Sequence, residues 1–256
     1  MRVPADTQIE GGVAHVVLNH PPVNAFDSDG WLALAKHFRA LGESEDVHVV
    51  LLSAAGRGFC AGVDVKELAR DSTLITKVNR GCYETFAAIY ECAVPVVAAA
   101  HGFVLGGGIG MVGAADIVLA SEEATFGLPE IDRGALGAAT HLLRMFGMQK
   151  TRKMLLTGEP ITAAEAYRLG ALEEVTTRDG LLPAARKIAA SIASKSPKAV
   201  RLAKESLNGI ELLDIKQSYR FEQGFTLELY TSPDSQEARD AFVEKRDASF
   251  KDTKKG

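Results

Sequence analysis

Residues 47–53 (VHVVLLS) and 94–100 (VPVVAAA) are almost unbroken apolar runs of strand length, each followed closely by a glycine-rich segment. A strand without polar alternation must be covered on both faces, which a parallel sheet flanked by helices provides. Residues 13–18 (VAHVVL) and 117–120 (IVLA) read as further strands. Helical patterns lie between them. Trp31, Leu34, Ala35, Phe38 and Leu41 share one face behind Asp27 or Ser28 as N-cap, and 74–90 suits a second helix. This alternation predicts an α/β core with parallel strands and right-handed crossovers.

Beyond about residue 135 the strand signals nearly vanish. Thr162 with Glu165 forms a capping box before AYRLG, and Ser196-Pro197 supplies an N-cap with Pro at N1 for the next helix. Further helical patterns cover roughly 211–230 and 235–247. No Gly/Ser- or Pro-rich linker and no repeat of fixed period divides the chain. The expected organisation is a core over 1–195 and a helical region over 196–256 that ends in the solvated tail KDTKKG.

Charge and cysteine content exclude several functions. Lys and Arg number 29 against 33 Asp and Glu, so the net charge of −4 gives no basic field for nucleic acid. The longest uncharged apolar run, 92–100, is far short of the roughly 20 residues of a membrane span. The first ten residues lack a secretory apolar stretch, and Cys60, Cys82 and Cys92 form no CxxC pair. A cytoplasmic protein with reduced, structurally buried thiols and no metal is expected.

Chemistry gathers in three segments. In 55–67 (AGRGFCAGVDVKE), Gly56, Gly58 and Gly62 permit backbone angles closed to other residues, and a helical pattern follows. Such a turn can aim N–H groups at developing negative charge or be a plain strand-to-helix connection. In 102–113 (GFVLGGGIGMVG), Gly108, Gly110 and Gly113 spell GxGxxG, with Glu122 further on. About eight residues remain there before the next strand, too few for a dinucleotide-binding crossover, so nicotinamide binding is the weaker alternative. In 125–137 (TFGLPEIDRGALG), Pro129 keeps Leu128 extended and leaves Glu130 beside Leu128 and Ile131. Apolar surroundings raise a carboxylate pKa toward the range of proton transfer; the structural alternative is a Glu paired with Arg133 or Arg144.

Together these segments resemble the crotonase (enoyl-CoA hydratase/isomerase) family. The resemblance rests on PPVNAF at 21–26, GFCAGVDVKEL at 58–68, VPVVAAAHGFVLGGG at 94–108, ADIVLASEEATFGLPEI at 115–131, LLTGEPITAAEAYRLGALEEV at 155–175 and AFVEKR at 241–246. It implies a β-β-α spiral with C-terminal helices that build trimers or dimers of trimers. It also implies an acyl-CoA substrate, with no cofactor beyond that coenzyme A. By motif position, the Val63 and Gly107 amides would hold the thioester oxygen, and Glu130 would be the acid/base. Ala61, Lys66 and Lys245, the last from a neighbouring subunit, would contact CoA.

Hydratases of the family carry another glutamate three residues after the second oxyanion glycine, where this chain has Gly110. That absence argues against two-glutamate hydration and leaves space for a bulky acyl group. Whole segments such as NRGCYETFAAIYECAVPV and GLPEIDRGALGAATHL look most like an actinobacterial branch linked to steroid ring C and D degradation, in which water opens a cyclic β-diketone CoA. Asp132, Arg133 and His141 are candidates for a second polar group by sequence proximity alone, and Asp64 reads better as an N-cap. Enoyl-CoA isomerisation, ordinary hydration and non-catalytic acyl-CoA binding are the alternatives.

Overall fold

A computed structural model describes residues 3–133, 135–211 and 215–250. The strands are β1 (Ala5–Glu10), β2 (Val13–Leu18), β3 (Ala25–Phe26), β4 (Val49–Ala54), β5 (Gly62–Val63), β6 (Val96–Ala100), β7 (Phe103–Leu105), β8 (Ile117–Ser121), β9 (Thr125–Gly127), β10 (Ile161–Thr162) and β11 (Glu174–Thr176). Helices α1 (Ser28–Glu43), α2 (Val65–Arg70), α3 (Ile75–Tyr90) and α4 (Gly107–Ala114) intervene among the early strands. Later come α5 (Ala139–Phe146), α6 (Met148–Thr157), α7 (Ala163–Arg168), α8 (Arg178–Ala193), α9 (Pro197–Ile210), α10 (Ile215–Tyr230) and α11 (Pro233–Glu244).

The order makes a spiral. Strands β2, β4, β6 and β8 each enter one six-stranded sheet, ordered β1-β2-β4-β6-β8-β11, and the strand after each enters a second layer. That layer comprises β3-β5 and β10-β9-β7, joined by a parallel bridge from Cys60 to Val104. Helix α1 completes the first turn, α2 and α3 the second, and α4 the third. The predicted parallel pairing holds from β2 through β11, with Leu51 opposite Val97 and Ala98 opposite Val118. Strand β1, which carried no apolar alternation, is mostly exposed and adds an antiparallel edge to β2.

Every residue of β4 and β6 is buried, as their almost wholly apolar sequences require. Trp31, Leu34 and Phe38 of α1 are fully buried on the core side, each worth about 1.5–3 kcal/mol of transfer free energy. Asp27 caps α1 through the Gly30 N–H, Thr162 caps α7 through Glu165 N–H, and Ser196 caps α9 through Ala199 N–H. A buried and a half-buried cation bolt α9 to the core. Lys204 donates to Ile89 O, Val94 O and Asp116, and Arg201 donates to Gly42 O, Ser44 O and Val47 O.

Candidate active site

The two glycine segments meet at the N-terminus of α4. Gly62 has φ +89°, and a Cβ built on it would stand 3.0 Å from Gly107 N and 3.2 Å from Leu105 O. Only glycine allows that approach and that backbone angle together. Asp64 N–H bonds Phe26 O at 2.9 Å, and successive amides of an extended segment face opposite ways. The Val63 N–H is therefore turned away from β3. Gly107 opens α4, so its N–H lies in the first turn and has no intrahelical acceptor. Two amide-bearing segments thus lie side by side at a helix N-terminus, a setting that favours negative charge.

Glu130 sits on the 3₁₀ turn Pro129–Arg133, half-buried. A Cβ on Gly106 would collide with its Oε1, and one on Gly137 would stand 3.9 Å away. The carboxylate therefore rests against the residue immediately before Gly107. Arg144 is engaged elsewhere, with Glu211 and with the carbonyls of Gly113 and Ala115, so it does not supply the structural pairing considered for Glu130. Cys82 on α3 feels the same carboxylate: burial first, then Glu130, pushes its thiol up to about 12.

Gly110 is fully enclosed, and a Cβ there would run into the Phe86 ring of α3. The space expected beside Gly110 is thus not open; Phe86 fills it, because α3 packs directly on the glycine face of α4. Phe86 meets Trp31 edge-on at 5.7 Å and His141 at 4.9 Å. Trp31 in turn lies on Gly107, its Cζ2 2.5 Å from where a Cβ would be. The other two glycines of GxGxxG also mark close packing against protein. A Cβ on Gly108 would stand 2.8 Å from Cys60 O, and one on Gly113 2.7 Å from His141 O.

The remaining candidates scatter around this centre. His141 on α5 is half-buried, and burial, then Arg144, pushes its pKa down to about 4, so it is neutral at physiological pH. Its Nδ1 is buried with no hydrogen-bond partner among the described residues. Asp132 is turned toward Gly158 at the end of α6, and the Arg133 side chain lies outside the described residues. Asp64 caps α2 through the Lys66 N–H. Ala61 is half-buried just before Gly62, Lys66 is exposed on α2, and Lys245 is exposed at the α11 C-cap with φ +56°. Gly58 differs from its expected role. Its φ is not positive; the Phe103 ring lies where a Cβ would go.

Comparison with known proteins gives the family. Residues 8–254 match the family model described as enoyl-CoA hydratase/isomerase. The chain belongs to the enoyl-CoA hydratase/isomerase family. Among its relatives, a (7aS)-7a-methyl-1,5-dioxo-2,3,5,6,7,7a-hexahydro-1H-indene-carboxyl-CoA hydrolase of Rhodococcus jostii is 51% identical over 235 residues, covering 91% of each chain. The Mycobacterium tuberculosis protein of the same name is 48% identical over 93% of this chain and 98% of its own. A probable mitochondrial enoyl-CoA hydratase of Dictyostelium discoideum is 34% identical over 94% of this chain and 88% of its own. The solved enoyl-CoA hydratase of Mycobacterium smegmatis superposes with a TM-score of 0.92 at 28% identity, covering 97% of this chain and 99% of that one. The crotonase-like spiral expected from the sequence is therefore the fold, and the enzyme family is established.

Sequence reading missed Phe86, Trp31 and Cys82 around the site. Their helical spacing marks them as core, and nothing local says that α3 and α1 face α4. Within the described residues no His, Cys, Asp and Glu cluster could hold a metal ion, and no helix is long and apolar enough to cross a membrane.

Proposed function

We propose that this family member is a hydrolase that opens a ring of a cyclic diketone CoA ester by carbon–carbon cleavage, as in steroid catabolism. The observation that carries the reading is the aromatic filling beside Gly110. It leaves Glu130 as the carboxylate against the α4 N-terminus in a chain half-identical to two CoA-ester hydrolases.

Water adds to a ring ketone and gives a proton to Glu130. The adjacent ring carbon–carbon bond then breaks, and its electron pair delocalises toward the thioester. The Val63 and Gly107 amides hold the oxygen on which that charge collects; losing one such donor typically costs about 10²–10³ in rate. Glu130 returns the proton to carbon, giving a ring-opened carboxylic acid that remains a CoA ester. Neutral His141, with its unpartnered Nδ1 beside Phe86, is the favoured second polar group to orient the water, ahead of Asp132 and Arg133. Ala61, Lys66 and a neighbouring subunit's Lys245 hold the CoA. The 196–256 region, with Phe242 and Val243 exposed, assembles cytoplasmic trimers or dimers of trimers around the 1–195 core. The chemistry uses the chain's own groups and no cofactor beyond the substrate's CoA.

The test incubates the enzyme with a dioxo-hexahydroindene-carboxyl-CoA and with crotonyl-CoA. Addition of one water with loss of the ring, and little crotonyl-CoA hydration, is the expected result. Hydration or double-bond migration of enoyl-CoA without ring opening would replace the reading with a hydratase or isomerase. Tight binding with no turnover of any ester would make the protein a CoA-ester carrier.

A further inference from the structure

Cys60 lies at the junction of the two glycine segments and is wholly buried. Its backbone makes the bridge to Val104 that joins the two halves of the second layer: Cys60 N–H donates to Phe103 O at 3.3 Å, and Leu105 N–H donates to Cys60 O at 2.9 Å. That same carbonyl is the atom against which Gly108 packs. Its side chain works in the other direction. Gly62 N–H donates to Cys60 Sγ at 3.2 Å, one residue before Val63.

We propose that Cys60 is a positioning residue: its sulfur fixes the Gly62 amide and so aims the next amide, Val63 N–H, at the oxygen shared with Gly107. The inference rests on the oxyanion reading of Val63 and Gly107 given above. The peptide joining Gly62 to Val63 is clamped from both sides. Upstream stand Cys60 Sγ on Gly62 N and Val23 O on Ala61 N (3.1 Å); downstream stands Phe26 O on Asp64 N (2.9 Å). Gly62, at φ +89°, has the widest backbone freedom in this stretch, and the sulfur is the acceptor that holds its own amide. Burial pushes the thiol up to about 12, so the sulfur stays a protonated, uncharged acceptor and does not act as a nucleophile.

The test uses crotonyl-CoA labelled with ¹³C at the thioester carbonyl and reads its stretching frequency on the protein by difference infrared spectroscopy. In the wild type the band moves to lower frequency on binding. Cys60→Ala should cut that displacement by at least half and lower kcat for ring opening about tenfold, with KM within about twofold. Cys60→Ser, whose hydroxyl oxygen also accepts from Gly62 N–H, should keep most of both. Cys60→Val, close in volume but without an acceptor, should behave like the alanine variant and stands in for it if that variant does not fold. Wild-type frequency and kcat in the alanine or valine variant would overturn the proposal, as would a serine variant as impaired as alanine. If crotonyl-CoA does not bind, the dioxo-hexahydroindene-carboxyl-CoA labelled at the same carbonyl takes its place. A bound ester with no displacement in the wild type would instead refute the oxyanion reading before any substitution is made, and this inference with it.

Discussion

Two helices follow the two glycine segments, and they could hardly differ more. Every residue of α4 is buried, whereas α2 buries none of its residues. Helix α4 has poor intrinsic propensity, with glycine at 107, 108, 110 and 113, and persists because those glycines let Trp31, Cys60, Phe86 and His141 approach its backbone. Helix α2 is held by polar ties instead. Asp64 caps it, and Glu67 accepts from both the N–H and the hydroxyl of Ser28 at the start of α1. One amide of the proposed oxyanion site is thus delivered by core packing and the other by hydrogen bonds. Damage to the packing on the glycine face of α4 should register as lost stability, and damage to the ties that hold α2 as lost turnover.

The largest effect is expected where α4 meets the carboxylate. Gly106→Ala puts a methyl group into Glu130 Oε1 at a residue with φ +55°, displacing the acid/base group. Ring-opening turnover should fall by about 10²–10⁴ while circular dichroism stays native-like. A methyl at Gly110 meets the Phe86 ring, and overpacking of this kind costs about 1–3 kcal/mol, readable in urea titration. Adding Phe86→Ala to Gly110→Ala should recover part of that loss; a double variant no better than the sum of the singles would show that the ring is not what α4 leans on.

On the other side, Glu67→Ala should lower kcat severalfold and lower the melting temperature less than Gly110→Ala does, because no residue of α2 is fully buried. A melting temperature falling as far as for Gly110→Ala would erase the contrast between the helices. The last effect is confined to acid. Above pH 6.5 the His141 ring is neutral in both folded and unfolded chains, and its stabilising share is fully present. As pH falls from 6.5 toward about 4 the unfolded chain takes up the proton first, so stability declines and then levels off. His141→Gln should flatten that decline in a urea-midpoint series from pH 7 to pH 4.

The same contrast explains what could be read from the sequence. The runs at 47–53 and 94–100 predict doubly covered strands because burial on both faces leaves no place for polar residues, and β4 and β6 are buried throughout. Asp27, Thr162 and Ser196 are legible as caps because a cap is a local hydrogen bond. The partners of Gly106, Gly108, Gly110 and Gly113 are not legible. A glycine says that something comes close, not what does, and GxGxxG fits a phosphate and an aromatic ring equally well. Glu130 could be singled out by its apolar neighbours, but its place against Gly106 depends on the β7–β9 pairing that brings Gly106 N–H to Gly127 O.

The seat of Glu130 on a bare Cα binds the histories of two distant positions. A lineage that gained any side chain at 106 would have to shorten or discard the acid at 130, and regaining the acid would first require stripping 106 back to hydrogen. Descendants of this chain should therefore inherit glycine and glutamate as one character. Libraries that randomise the two codons separately would sample mostly dead combinations, while paired randomisation would reach the functional ones.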